Sequence, residues 1–249
     1  MTLRLGTLDV SETFGPTFQG EGPSLGRRCG FLRLARCNLD CGEGEGATWC
    51  CDTPYTWRWE GRFPDDRPTF SMAAEIDTRP IADVAHELLG MGVGLVVVSG
   101  GEPLSQRGGV ASLARHLRRY GVAVEVETNG TVDPGPALHD VASFNVSPKL
   151  ANSGVPVEKR RNRRVLTTLA SSGRARFKFV VTNPSDLDEV AELAALVPIT
   201  AEQLWIMAGG TTAEAIDRTT RLLADDVLAR GWNLTTRLHV LIWGDVRAR

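Results

Sequence analysis

Histidine, cysteine and long apolar runs are all scarce in this chain of 249 residues, and each scarcity closes off a class of protein. The four histidines, His86, His116, His139 and His239, are scattered, so no histidine-rich metal motif is present. No run of eighteen apolar residues occurs, and the opening MTLRLGTLDVSETF has no apolar stretch behind a basic start. Neither a membrane span nor a secretory leader is therefore expected. Charge of one sign is not in excess either: 28 Lys and Arg against 30 Asp and Glu leave a formal net charge of −2. Such a balance gives no global pull towards nucleic acid or a membrane surface. Only five cysteines are present, and Cys37, Cys41, Cys50 and Cys51 are bunched within residues 37–51. An odd, bunched set fits a metal or catalytic site in the cytoplasm better than a disulfide framework. Cys29 opens an apolar strand and reads as ordinary core.

What is present is alternation. GFLRLAR (30–36), GLVVVSGG (94–101), VAVEVETNG (122–130), SFNVSPK (143–149), RFKFVVTNP (176–184), QLWIMAGG (203–210) and TRLHVLIWG (236–244) read as strands. Between them IADVAHELLGMG (81–92), GVASLARHLRRYG (109–121), ALHDV (137–141), VEKRRNRRVLTTLASS (157–172), SDLDEVAELAALV (185–197) and AEAIDRTTRLLADDVLARG (213–231) read as helices. Ser185 is the expected cap of its helix. Residues 58–79, with Pro64 and Pro68, read as loop. Roughly six βα units with right-handed crossovers predict an α/β fold. No shift in composition marks a linker, so residues 1–249 are expected to form one domain. Active sites of such folds lie at the carboxyl ends of the strands. The polar segments CNLDC, SGGEP, ETNGT, SPK, TNPSD and MAGGTT fall there, which predicts one site built from many loops.

Cys37 and Cys41 are spaced C-x3-C, and a glycine-rich insert (42–50) separates them from Cys51. A structural zinc usually wants four ligands in close pairs, often with histidine, so a zinc-stabilised binding module is the non-enzymatic alternative. Three thiolates can also anchor a [4Fe–4S] cube and leave its fourth iron open. C-x3-C-x2-C is the signature of radical S-adenosylmethionine (SAM) enzymes. CNLDC with CDTPYTW resembles one family among them, the 7-carboxy-7-deazaguanine synthases of queuosine and 7-deazapurine biosynthesis. The resemblance implies Cys37, Cys41 and Cys51 as cluster ligands, because the matching motif sets its last cysteine directly before Asp-Thr. Cys50 is the rival third ligand, and the insert departs from the family's two-residue gap.

Further matches extend the resemblance along nearly the whole chain, most specifically at 17–57, 96–106 and 144–150. TFQGEGPSLGRRCGFLRLARC (17–37) is similar to the family's substrate segment. By position, Phe18, Gln19 and Gly20 would line the pterin, with Glu21 and Arg33 as polar anchors. Such chemistry suits that substrate: an amide donates and accepts, a carboxylate accepts from an amino-pyrimidinone edge, and a guanidinium forks onto a carboxylate. VVVSGGEPLSQ (96–106) resembles the GGEP motif, implying Gly101 for SAM and Ser99 for substrate. ETNGT (127–131) implies Glu127, and FNVSPKL (144–150) implies Ser147, Pro148 and Lys149, as further SAM contacts. Thr53 of CDT is implied to help bind Mg²⁺, which keeps waters and takes substrate oxygens. Met207 reads as core, near the adenine at most, and the tail reaches Arg249.

The resemblance implies a partial (β/α)6 TIM-like barrel, a homodimer, and an enzyme of the lyase type. Its reaction would be ring contraction of 6-carboxy-5,6,7,8-tetrahydropterin to 7-carboxy-7-deazaguanine with loss of ammonia. The deoxyadenosyl radical would take hydrogen from substrate C6, with SAM regenerated. No general acid or base is assigned beyond the cluster ligands. The basic run KRRNRR (159–164) is expected on the exposed face of a helix, with docking of an acidic electron donor such as flavodoxin as its other use. Nucleic acid is not an expected partner. A radical SAM activase acting on a partner protein is the alternative enzyme, but it gives QGEG and CDT no role.

Overall fold

The computed structural model describes residues 6–63, 67 and 69–249, so Pro64, Pro68 and residues 1–5 lie outside the described residues. The chain runs through β1 (Thr7–Phe18), β2 (Arg28–Leu34), α1 (Met72–Glu75), β3 (Asp77–Pro80), α2 (Ile81–Gly90), β4 (Leu95–Gly100), α3 (Arg107–Arg118) and β5 (Ala123–Thr128). It continues through α4 (Pro136–His139), β6 (Ser143–Val146), α5 (Val157–Arg160), α6 (Arg163–Ala170), β7 (Ala175–Val181) and α7 (Asp186–Leu196). The last elements are β8 (Leu204–Ala208), α8 (Ala213–Ala229), β9 (Asn233–Thr235) and α9 (Leu238–Trp243). Among the described residues the strands form one nine-stranded sheet, ordered β3-β1-β2-β4-β5-β6-β7-β8-β9. From β2 to β9 every neighbour pairs in parallel, while β1 and β3 add an antiparallel edge. The two edge strands do not pair with each other, so the fold is an open, partial barrel.

Alternation along each strand decides what faces the helices and what faces the site. Leu32, Val96, Val98, Val124, Val126, Phe144, Val146, Phe177, Phe179 and Ile206 join the large core under the helices. Side chains one residue out of step point to the other face. There Cys29, Phe31, Leu95 and Val97 make a small apolar cluster backed by Phe14. Further along the same strands come Arg33, Ser99, Glu127, Lys178, Val180 and Met207, all of which line one large cavity. Arg33 is registered opposite Ser99, and Val180 opposite Met207.

Several expectations need correction. TRLHVLIWG is not a strand: only Asn233–Thr235 pairs with β8, and Leu238–Trp243 is helix. A short apolar run does not by periodicity alone distinguish strand from helix, and here Leu241 and Ile242 turn out to solvent. The segment 58–79 is not all loop, since it holds α1 and the edge strand β3. The strict alternation of TLDVSETF forms β1, with Leu8 and Val10 buried.

The helix read over 157–172 is two helices, because Asn162 interrupts it and caps the second by accepting from Val165 N at 3.3 Å. KRRNRR is accordingly not one exposed helical face. Arg160 is 6% exposed and donates to the carbonyls of Val155 (2.9 Å) and Lys149 (3.0 Å), and it pairs with Glu189 alongside Arg161. Ser185 does not cap α7: its backbone is already helical and its hydroxyl turns back to Asn183. Asp186 instead fastens the turn, accepting from the backbone N–H of Thr182 at 2.8 Å.

Candidate functional site

The loops that follow the parallel strands converge on a cavity of about 850 Å³. A volume of that size is at the upper end of small-molecule sites. Cys37, Cys41, Cys50, Cys51, Thr53, Phe18, Gln19, Gly20, Glu21, Arg33, Ser99, Gly101, Glu127, Ser147 and Lys149 all line it. Pro148 is buried and does not line the cavity, although both of its neighbours do.

The cysteine end is apolar. Cys37, Cys41 and Cys51 pack around Leu39, Val155 and Trp49. Burial pushes all three thiols up, Cys41 to about 12, so they are neutral until a metal takes their protons. Each keeps little other company: Cys37 Sγ accepts from Leu39 N at 3.4 Å, and Cys51 Sγ from Trp57 Nε1 at 3.3 Å. Cys50 differs, being exposed and 3.8 Å from the guanidinium of Arg67. Among the described residues, no three His, Cys, Asp or Glu side chains are close enough to hold a single metal ion. A four-iron cube spans more space than one ion, and three thiols converging on one apolar wall fit it.

The insert is held by contacts. Gly42 N donates to Ser153 O and Thr48 N to Asn152 O, both at 2.9 Å, while Trp49 Nε1 reaches Asn152 Oδ1 at 2.9 Å. A Cβ on Gly44 would stand 2.0 Å from Gly154 O, so this glycine serves close approach of two loops. Gly101 does the same: its Cβ would stand 2.0 Å from Arg36 O, seating the GGEP turn against the first cysteine loop. Glu102, fully buried, locks that arrangement by accepting from Leu104 N (2.9 Å), Thr128 Oγ1 (2.8 Å) and Asn129 N (2.8 Å). Lys149 Nζ reaches Ser147 Oγ at 3.1 Å.

The opposite end is charged and tightly paired. Gln19 Nε2 donates to Glu125 and Glu127, each at 3.1 Å, and Ser99 Oγ donates to Glu127 at 2.7 Å. Glu21 is ion-paired with Lys178 and accepts from Arg237 Nε at 3.1 Å. Burial raises the Glu21 carboxyl, but the two cations outweigh it and hold the group well below its usual range. Arg237 also donates to Asp52, beside Cys51, at 2.7 Å, which ties the charged end to the cysteine end. A Cβ on Gly20 would meet His239 Nδ1 at 2.1 Å. Arg33 and Tyr55 both donate to Glu12, at 2.7 and 2.8 Å, and Arg247 from the tail reaches the same carboxylate at 2.8 Å. Thr53 Oγ1 lies 3.4 Å from Gly100 O.

Sequence reasoning passed over Glu12, Asp52, Glu102, Glu125, Lys178, Arg237, His239 and Arg247. Lys178 had a signal: it sits between Phe177 and Phe179 in a parallel strand, where both faces are buried and a cation needs a partner. Arg237 and Asp52 are 185 residues apart, and only the fold joins them.

No protein-family model matches the chain. It is 37% identical over 242 residues, 96% of either chain, to the 7-carboxy-7-deazaguanine synthase of Pyrobaculum aerophilum. The enzyme of that name from Hyperthermus butylicus is 35% identical, over 94% of this chain and 92% of the relative. That from Rhodopirellula baltica is 33% identical, over 97% and 88%. The crystal structure of QueE from Escherichia coli superposes with a TM-score of 0.68 over 94% of this chain and 95% of that one; at 24% identity it speaks for the fold.

Proposed function

The chain belongs to the 7-carboxy-7-deazaguanine synthase family, and from that premise we propose that it contracts 6-carboxy-5,6,7,8-tetrahydropterin to 7-carboxy-7-deazaguanine with loss of ammonia. The step belongs to queuosine and 7-deazapurine biosynthesis. The observation that carries the reading is one cavity with two unlike ends, the buried Cys41 and half-buried Cys37 and Cys51 on one side and a set of paired amide, carboxylate and guanidinium groups on the other.

Cys37, Cys41 and Cys51 would hold a [4Fe–4S] cluster, with Cys50 left outside it against Arg67. When bound, the cluster supplies the electron that opens S-adenosyl-L-methionine to radical chemistry. Gly101, Ser147 and Lys149 would receive that cofactor, and Glu102 ties the Gly101 turn to the loop after β5 by taking up three donors. Glu127 sits at the seam, bonded to Ser99 and Gln19, and so aligns the cofactor side with the substrate side.

At the substrate end Gln19 is fixed by two carboxylates, and its carbonyl oxygen faces Glu21 N at 3.3 Å. Glu21, kept ionised by Lys178 and Arg237, offers an acceptor to an amino-pyrimidinone edge. Arg33, aimed by Glu12, would fork onto the substrate carboxylate. Mg²⁺ beside that carboxylate would take the Thr53 hydroxyl, and Phe18 and Gly20 would border the ring. A cytoplasmic homodimer of single-domain chains, served by a one-electron donor such as flavodoxin, completes the proposal. Among the described residues no helix is long and apolar enough to cross a membrane.

Anaerobic incubation of the reconstituted chain with the carboxy-tetrahydropterin, SAM, Mg²⁺ and dithionite tests the reading. An ultraviolet-absorbing deazapurine with the mass of the substrate less ammonia is expected, and its absence from iron-replete protein refutes the assignment.

A further inference from the structure

We infer that the groove between α3 and the loop after β5 is the docking face for an acidic one-electron carrier protein, an inference that rests on the reading above. The groove encloses about 540 Å³ and is lined by Arg107, Arg115, Asp133 and Arg164. All three arginines are exposed. Arg107 donates to the Asp133 carbonyl at 2.9 Å, and Arg164 lies 3.3 Å from Asp133 Oδ2. Asp133 Oδ1 is already taken by Gly135 N at 2.8 Å. Two guanidinium groups thus each meet Asp133 through a single terminal nitrogen while their side chains stay exposed, and among the described residues Arg115 has no ion-pair partner. Arg118, also exposed, continues the row, because positions 107, 111, 115 and 118 share one side of the helix.

Three guanidinium groups against one carboxylate make a cationic patch on a chain whose net charge is −2. Acidic proteins are steered to such patches, whereas a nucleic-acid duplex asks for a longer basic track. The patch is also joined to the cysteine loop. Asn38, next to Cys37, donates to Thr131 Oγ1 at 2.8 Å and accepts from Asn129 Nδ2 at 2.9 Å. Asp133 follows two residues later, at most about 7 Å along the chain. Asn162, the cap of the helix that bears Arg164, donates to Thr131 O at 3.0 Å. A carrier seated in the groove therefore abuts the wall that holds the Cys37 loop. The carrier is oxidised by one electron and the cluster is reduced by one, with no atom transferred. The arginines that face outward are not the middle of the basic run, which turns inward to Glu189.

Anaerobic binding of recombinant flavodoxin to cluster-loaded protein, followed with salt concentration, tests the inference. Arg115→Glu/Arg164→Glu is expected to weaken binding at least about tenfold and to flatten its salt dependence. Flavodoxin-driven turnover should fall in proportion, while dithionite-driven turnover stays within about twofold of the parent. Arg115→Gln/Arg164→Gln, a milder change, should fall between the two and guards against a misfolded double reversal. Unchanged flavodoxin affinity in both variants overturns the docking face, as does capture of a short RNA duplex, but not flavodoxin, through the same arginines. Loss of dithionite-driven turnover in the parent would count against the proposed reaction instead, and the binding series would still decide the groove.

Discussion

The two ends of the cavity are built on different principles. The cysteines come from one stretch of chain, residues 37–57, and their side chains pack in an apolar cluster with Leu39 and Val155, while the loop that carries them is hydrogen-bonded to residues 152–153. The charged end draws Glu12, Gln19, Glu21, Lys178, Arg237 and Arg247 from the full length of the chain and joins them by hydrogen bonds and ion pairs, buried at Glu21 and reaching the surface at Arg247. Chemistry at the first end depends on what binds there, so its residues can be lost with little harm to the fold. At the second end each charge compensates another, and removing one leaves its partner under-compensated in a largely buried place.

Substitutions should separate the two ends. Cys41→Ala is expected to drop turnover below detection while moving the Tm of the metal-free chain by only about 3 °C, roughly 1 kcal/mol. Lys178→Met should do more to the fold: leaving Glu21 short of a cation costs about 3 kcal/mol, a Tm loss on the order of 10 °C by thermal melt. Equal Tm losses for the two would erase the contrast. Arg33→Lys keeps the charge but removes the fork, and a KM raised about tenfold with a smaller change in kcat is expected. Glu12→Gln has the smallest effect and carries a pH signature. Burial raises Glu12, but Arg33, Arg247 and Tyr55 together hold it below its usual 4.5. A depressed carboxyl stabilises above its unfolded pKa and loses that contribution as pH falls through its folded value. The stability gap between parent and variant, about 1 kcal/mol at neutral pH and read as a Tm difference of about 3 °C, should therefore close as pH drops below 4.5.

The same division explains what could be read from sequence. The six strands whose loops bear CNLDC, SGGEP, ETNGT, SPK, TNPSD and MAGGTT were legible, because each is an apolar run stopped by polar residues or glycine. The cysteine end followed from spacing and motif. TRLHVLIWG misled because six apolar-rich residues fit either a strand or a helical turn. Ser185 misled because Asp186, one residue on, binds the free N–H groups of that turn. Partners such as Arg237 with Asp52 have no local signal at all, since register and loop closure bring them together.

In the proposed enzyme Cys37, Cys41 and Cys51, and not Cys50, would hold a cluster open to the cofactor at the mouth of the substrate end. Anaerobic reconstitution of Cys50→Ala and Cys51→Ala, with iron analysis and electron paramagnetic resonance before and after adding SAM, tests it most directly. Cys50→Ala should retain about four irons per chain and a reduced signal that shifts with SAM, and Cys51→Ala should lose both. Iron and a SAM-sensitive signal in Cys51→Ala, with neither in Cys50→Ala, would contradict the account.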